Sequence, residues 1–140
     1  MGTRADYYIG RGLNAKWLGS TAWDGFPDDD RIKIICASLS EQEYLYHVER
    51  NFEQRDDATR PEQGWPWPWE TSSITDYAYA WDGDRVWISC FGRDWVTLVD
   101  TEKEGFEYPE EKSAVFPNMK EIQKITFGER SGVMIFRAKE

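Results

Sequence analysis

Groups for metal or nucleophile chemistry are scarce in this chain. There is one histidine, His47, and two cysteines, Cys36 and Cys90, far apart and without metal-ligand spacing. No Cys–His pair stands at a suggestive distance, and there is no Gly-x-Ser-x-Gly elbow, phosphate-binding glycine loop or histidine cluster. Carboxylate pairs abound, but a sequence does not supply the spacing a glycosidase requires. The reading is therefore a non-enzymatic protein with no catalytic residues, no metal and no cofactor. Long apolar runs are missing too, so no stretch of about 18 residues suits a membrane-spanning helix. The N-terminus has no apolar segment of the signal-peptide kind, and Asp6 stands where a myristoylation motif needs Ser or Thr. A cytoplasmic protein with reduced, buried cysteines is expected. Basic residues are the minority sign: 17 Lys and Arg face 26 Asp and Glu, for a net charge of −9. That balance argues against direct nucleic-acid binding, which draws most of its affinity from a basic footprint.

Aromatic residues are plentiful, and the stretch from Gly64 to Phe91 holds five of the eight tryptophans. Its first part, Gly-Trp-Pro-Trp-Pro-Trp, alternates indoles with prolines. Each proline fixes its own φ and biases the preceding residue toward extended backbone, so 65–69 reads as a stiff rod. Either Trp65, Trp67 and Trp69 lie across a sheet as a lid on the core, or they form an aromatic platform for a ligand or partner. In the second part, Tyr77, Tyr79 and Trp81 alternate with Ala78 and Ala80, the period of a two-faced strand. Asp82-Gly83 is a favoured type I′ turn pair. Pairing Trp81 with Asp84, or Asp82 with Arg85, puts Tyr77, Tyr79 and Trp81 on one face with Val86, Ile88 and Cys90. Trp95 to Val99 reads as the third strand of a meander.

Elsewhere, Arg4–Ile9 and Ala15–Trp23 read as strands joined by a glycine-containing hairpin loop. Arg31–Ala37 is a short strand or the approach to a helix. The clearest helix starts at Ser40, which makes a capping box with Glu43. Tyr44, Leu45, Val48 and Phe52 then share one face at helical spacing. His47 lies off that stripe and reads as a solvated side chain. Beyond Pro117, Met119–Phe127 reads as a helical turn passing into a strand, and Val133–Arg137 as the last strand. At 140 residues the chain reads as one α+β domain: a mainly antiparallel sheet of hairpins and a meander, with one main helix packed on it.

Acid is concentrated in places. Asp24, Asp28, Asp29 and Asp30 make one cluster. Asp100, Glu102, Glu104, Glu107, Glu110 and Glu111 make another, with only Lys103 among them. The triple aspartate lacks the spacing and closing glutamate of a calcium loop. Such surfaces keep a protein soluble or steer it toward a basic partner.

The opening Met-Gly-Thr-Arg-Ala-Asp-Tyr-Tyr, the Trp17–Ser20 and Ala22–Gly25 segments, and the Asp57–Trp69 stretch ending in Trp-Pro-Trp-Pro-Trp resemble a family of short bacterial proteins associated with phage and other mobile elements. The resemblance covers about the first two-thirds of the chain. It implies a context of genetic conflict, where anti-CRISPR, anti-restriction and immunity proteins cover basic enzyme surfaces. Two functions are carried forward. In the first, an acidic inhibitor docks on a basic, nucleic-acid-processing protein, with carboxylates standing in for phosphates and Trp65, Trp67 and Trp69 as anchors. In the second, the same indoles bind a carbohydrate or nucleotide. The oligomeric state stays open.

Overall fold

The computed structural model describes residues 2–102 and 113–120. Two β-hairpins meet side by side at its centre. The first pairs β1 (Ala5–Ile9) with β2 (Lys16–Thr21). After it come two helices, α1 (Asp30–Cys36) and α2 (Glu41–Glu53), and a two-residue strand, β3 (Ala58–Thr59). The second hairpin pairs β4 (Tyr77–Asp82) with β5 (Arg85–Cys90), and a short α3 (Leu98–Glu102) follows. The sheet order is β3-β2-β1-β4-β5. All neighbours are antiparallel except β1 and β4, which run parallel from Ala5↔Tyr77 to Ile9↔Trp81. This is an α+β fold.

Strand alternation sorts the sheet into two dissimilar faces. Ala5, Tyr7, Tyr79, Trp81, Val86 and Ile88 form one, packed beneath Ile32 and Ile35 of α1 and Tyr44, Val48 and Phe52 of α2. The same-face grouping read from the β4–β5 sequence holds. Tyr7 stacks on Tyr79 and meets the edge of Phe52, each at 5.5 Å. A bulge between Tyr7 and Tyr8 sets Gly19 opposite Tyr7. Gly19 is required there: a Cβ would lie 2.7 Å from the Phe52 ring, and its φ is +145°. Tyr8, Trp17, Ala78 and Ala80 form the other face. Trp65, Trp67, Trp69, Trp95, Phe116 and Met119 cover it. The molecule thus has three layers, with helices above the sheet and a tryptophan-rich lid below.

Helix α2 starts where the sequence placed it, with the Ser40 hydroxyl accepting the Glu43 N–H at 3.1 Å. The segment left open as strand or helix approach is α1, because Asp29 caps it by accepting the Arg31 N–H at 2.9 Å. The sheet face carries α2 as its main helix, with the shorter α1 beside it. The hairpin takes the Asp82↔Arg85 register, so the loop pair is Gly83-Asp84 instead of Asp82-Gly83. Only Gly83 has positive φ there (+72°), the pattern of a II′ turn. The third strand of the meander does not form. Val96 makes one bridge to Ile88, and the Thr97 N–H and hydroxyl donate to the Asp100 carboxylate at 3.0 and 2.8 Å, starting α3 at Leu98. Both cysteines are half-buried rather than buried. The expected strand at Val133–Arg137, and the part of Met119–Phe127 beyond Lys120, lie outside the described residues. Among those that are described, no helix is long and apolar enough to cross a membrane.

Candidate functional site

The loop from Trp23 to the start of α1 is fixed from below by a buried ion pair. Arg55 and Asp57 sit just beyond α2 with side chains only 5% and 1% exposed, joined at 2.6 Å from Nε and 2.8 Å from Nη2. Asp57 also accepts the Ala22 and Trp23 N–H groups at 3.0 Å each. Arg55 donates onward to the Trp23 carbonyl at 2.9 Å and to the Asp24 carboxylate at 3.3 Å. Burial works against charge on Asp57, but the Arg55 hydrogen bond and the Trp23 N–H prevail and hold its carboxyl below the usual range. Gly25 is stitched to the sheet: its N–H donates to the Thr3 carbonyl at 2.9 Å, and its own carbonyl accepts the Tyr79 hydroxyl at 2.5 Å.

On this support the loop presents aromatic and acidic side chains together. Trp23 and Phe26 are 46% and 49% exposed. Asp24, Asp28 and Asp30 are exposed around them, and Asp29 is half-buried by its capping role. Phe26 borders three concavities. One, of about 300 Å³, contains Trp23, Asp24, Asp28 and Asp29. Another, of about 280 Å³, runs past Asp28 and Lys33 to Leu98 and Thr101 of α3. The largest, of about 740 Å³, reaches Arg4, Trp67, Asp76, Cys90 and Phe91. Asp24 and Phe91 are the two non-glycine residues with positive φ among those described, at +59° and +51°, and both stand at these rims. Left-handed backbone at a bulky residue is held only where the surroundings enforce it. For Phe91, its N–H bonds to the Asp76 carbonyl at 2.9 Å, and Gly92 is pressed so close to the Ser73 carbonyl that a Cβ would sit 2.2 Å from it.

The two acidic clusters approach each other at their described ends. Asp28 and the α3 residue Thr101 border one cavity, and Asp100 sits a residue away, engaged in capping α3. Glu102 ends α3. Glu104, Glu107, Glu110 and Glu111 lie outside the described residues.

The Trp-Pro segment turns its indoles inward. Trp65 is 8% exposed, Trp67 and Trp69 are half-buried, and it is the prolines that face out. Every indole N–H of the segment has an internal acceptor: Trp65 bonds the Trp69 carbonyl at 2.6 Å, Trp67 the Asp6 carboxylate at 2.8 Å, and Trp69 the Thr75 hydroxyl at 3.2 Å. Trp67 and Trp69 stack at 5.6 Å, and the Arg4 guanidinium lies 4.9 Å from the Trp69 ring. This is lid packing. Only Trp67 borders one of the concavities around Phe26.

Asp6 is the residue that sequence reasoning passed over. It is fully buried in the middle of β1 and accepts hydroxyl groups from Ser20 and Ser72 at 2.5 Å each, besides the Trp67 indole. Burial pushes its carboxyl above the usual range, while hydrogen bonds from Ser20, Ser72, Trp67 and Thr75 pull the other way without prevailing. The strand period puts Asp6 on the Tyr8 face, and that is where its partners Trp67 and Ser72 lie. Its donors lie 14 to 66 residues away, so no local signal announced the network. Among the described residues no group of three His, Cys, Asp or Glu is placed to hold a metal ion. No family model, curated protein or solved structure matches the chain.

Proposed function

We propose that this protein is a small acidic binding protein, without catalysis of its own, that inhibits a bacterial defence or toxin enzyme by covering a basic, nucleic-acid-binding surface. The observation that carries the reading is the Trp23–Asp30 loop. Exposed indole and phenyl anchors stand among four carboxylates on a loop held by the buried Arg55–Asp57 pair. Aromatic anchors ringed by charge are the composition of interface hot spots. A pre-fixed loop loses little entropy on binding. Trp23 and Phe26 take over the anchoring role first expected of Trp65, Trp67 and Trp69, whose faces and N–H groups are engaged inside the lid. For the same reason the packing does not favour a sugar or nucleotide platform on the Trp-Pro segment. The defence context comes from the resemblance to phage-associated proteins, and it sets the action in the bacterial cytoplasm.

The test is affinity capture from a bacterial host lysate at low and high salt. Wild-type protein is compared with an Asp24→Asn/Asp28→Asn/Asp30→Asn variant and with Trp23→Ala/Phe26→Ala. A nucleic-acid-processing enzyme is expected to be retained at low salt, released at high salt, and lost with either variant. The Debye length falls from about 10 Å at 0.1 M to about 3 Å at 1 M, which screens exposed charges from one another. Retention of the same protein by all three forms would overturn the assignment of the loop. Absence of any salt-sensitive partner would overturn the inhibitor reading.

A further inference from the structure

A further concavity, between α1 and α2, carries charge of the opposite sign. It encloses about 260 Å³ and is lined by Arg31, Ile34, Tyr46, His47, Arg50, Asn51 and Gln54. In so acidic a chain arginines find carboxylates readily. Arg4, Arg11, Arg55, Arg60 and Arg85 lie against Asp76, Asp82, Asp57, Glu49 and Asp84 respectively. Among the described residues Arg31 and Arg50 form no ion pair, and both open on this cleft. The Arg50 guanidinium rests 5.8 Å from the Tyr46 ring, and His47 meets the same ring edge-on at 5.4 Å.

The second, independent observation is Asn51. It is the most buried of the lining residues, at 5% exposure, and its side-chain carbonyl has no hydrogen-bond donor. Its amide nitrogen makes only a long 3.5 Å contact to the Tyr7 hydroxyl. A buried polar oxygen left without a donor is destabilising. A bound molecule carrying a hydroxyl group would remove that deficit.

We infer that this cleft binds a small phosphate monoester with a hydroxylated body, of the sugar-phosphate class. Two guanidinium groups and an imidazole match a dianionic phosphate better than a single carboxylate, since guanidinium forks pair bidentately with phosphate oxygens. Tyr46 and Ile34 supply the walls for the body, and the Asn51 carbonyl, buried in the cleft, accepts from one of its hydroxyls once the amide turns outward from Tyr7. The volume falls below the roughly 300–1,000 Å³ of drug-sized pockets, which points to a ligand smaller than a nucleotide. This inference does not depend on the docking loop.

His47 is the only histidine, so its imidazole protons give a single, assignable NMR signal. The full-length protein would be titrated with ribose 5-phosphate, ribose, and inorganic phosphate at constant ionic strength. Ribose 5-phosphate is expected to shift the signal saturably, ribose not at all. Inorganic phosphate, unable to reach Asn51, is expected to bind about tenfold more weakly. An Arg31→Gln/Arg50→Gln variant, altered only at exposed positions, should keep its melting temperature and lose at least about tenfold in affinity. The site assignment fails if ribose 5-phosphate gives no saturable shift, or if the double variant binds it as well as wild type. Equal affinity for inorganic phosphate would overturn the hydroxylated-ligand part.

Discussion

Two buried aspartates govern stability with opposite dependence on pH. Asp6 has a folded-state carboxyl raised above its ordinary value of 3.8. Its contribution is therefore fully present below about pH 4 and is lost as pH rises through the folded value. Asp57 has a lowered one, so its contribution is present above about pH 4 and is lost as pH falls through the folded value. Asp6→Asn keeps an acceptor for Trp67 and Ser20, and its amide can donate to the Ser72 hydroxyl. It should be neutral or stabilising at pH 7 and should abolish the loss of stability on the alkaline side of pH 4. Asp6→Ala instead strands buried donors and should lower stability by about 1–3 kcal/mol. For Asp57→Asn, Arg55 keeps only the exposed Asp24 carboxylate and the Trp23 carbonyl as partners, and a loss of about 1–3 kcal/mol is expected at neutral pH. Melting temperatures of the four proteins across pH 3–8 check all three statements. Parallel curves for wild type and Asp6→Asn would show that Asp6 does not titrate as its surroundings dictate.

At the scale of elements, what was legible in the sequence was what local signals encode. Helix α2 announces itself through Ser40 and the Tyr44–Val48–Phe52 stripe, and removing the cap by Ser40→Ala should cost about 1 kcal/mol in urea unfolding. An unchanged unfolding midpoint would mean the cap is redundant with the packing of Tyr44 and Val48. The faces of β4 and β5 were readable because a two-residue loop leaves little freedom of register. Trp95–Val99 misled because β-branched residues favour strands, yet the Thr97–Asp100 cap begins a helix two residues after the bridge at Val96. The acidic loop was visible as composition. Its anchoring by Arg55 and Asp57, over thirty residues downstream, was not. The basic cleft escaped for the same reason, because Arg31 and Arg50 meet only when two helices pack.

At the scale of the molecule, the described residues form a sheet held between two helices and a tryptophan lid. The acidic, aromatic loop leads into α1, and a cleft lined by Arg31 and Arg50 opens between α1 and α2. The sheet is guarded at its margins. β3, at one edge, is only two residues long, and β5, at the other, is met by the Val96 bridge. Short or covered edges limit pairing with other chains.

The parallel pairing of β1 with β4 has a temporal meaning. Ala5 and Tyr77 are neighbours in the sheet but 72 positions apart in the chain. During synthesis at about 5–20 residues per second, Ala5 emerges roughly 4–14 s before Tyr77, its partner in the strand that closes the open side of β1. Through that interval β1 offers an unpaired margin, and the buried carboxylate of Asp6 waits for Trp67 and Ser72 to arrive. The helices α1 and α2, made in between, can already cover one face of the hairpin. A chain folding in the order of its synthesis would complete this sheet from its middle, by the second hairpin docking onto the first.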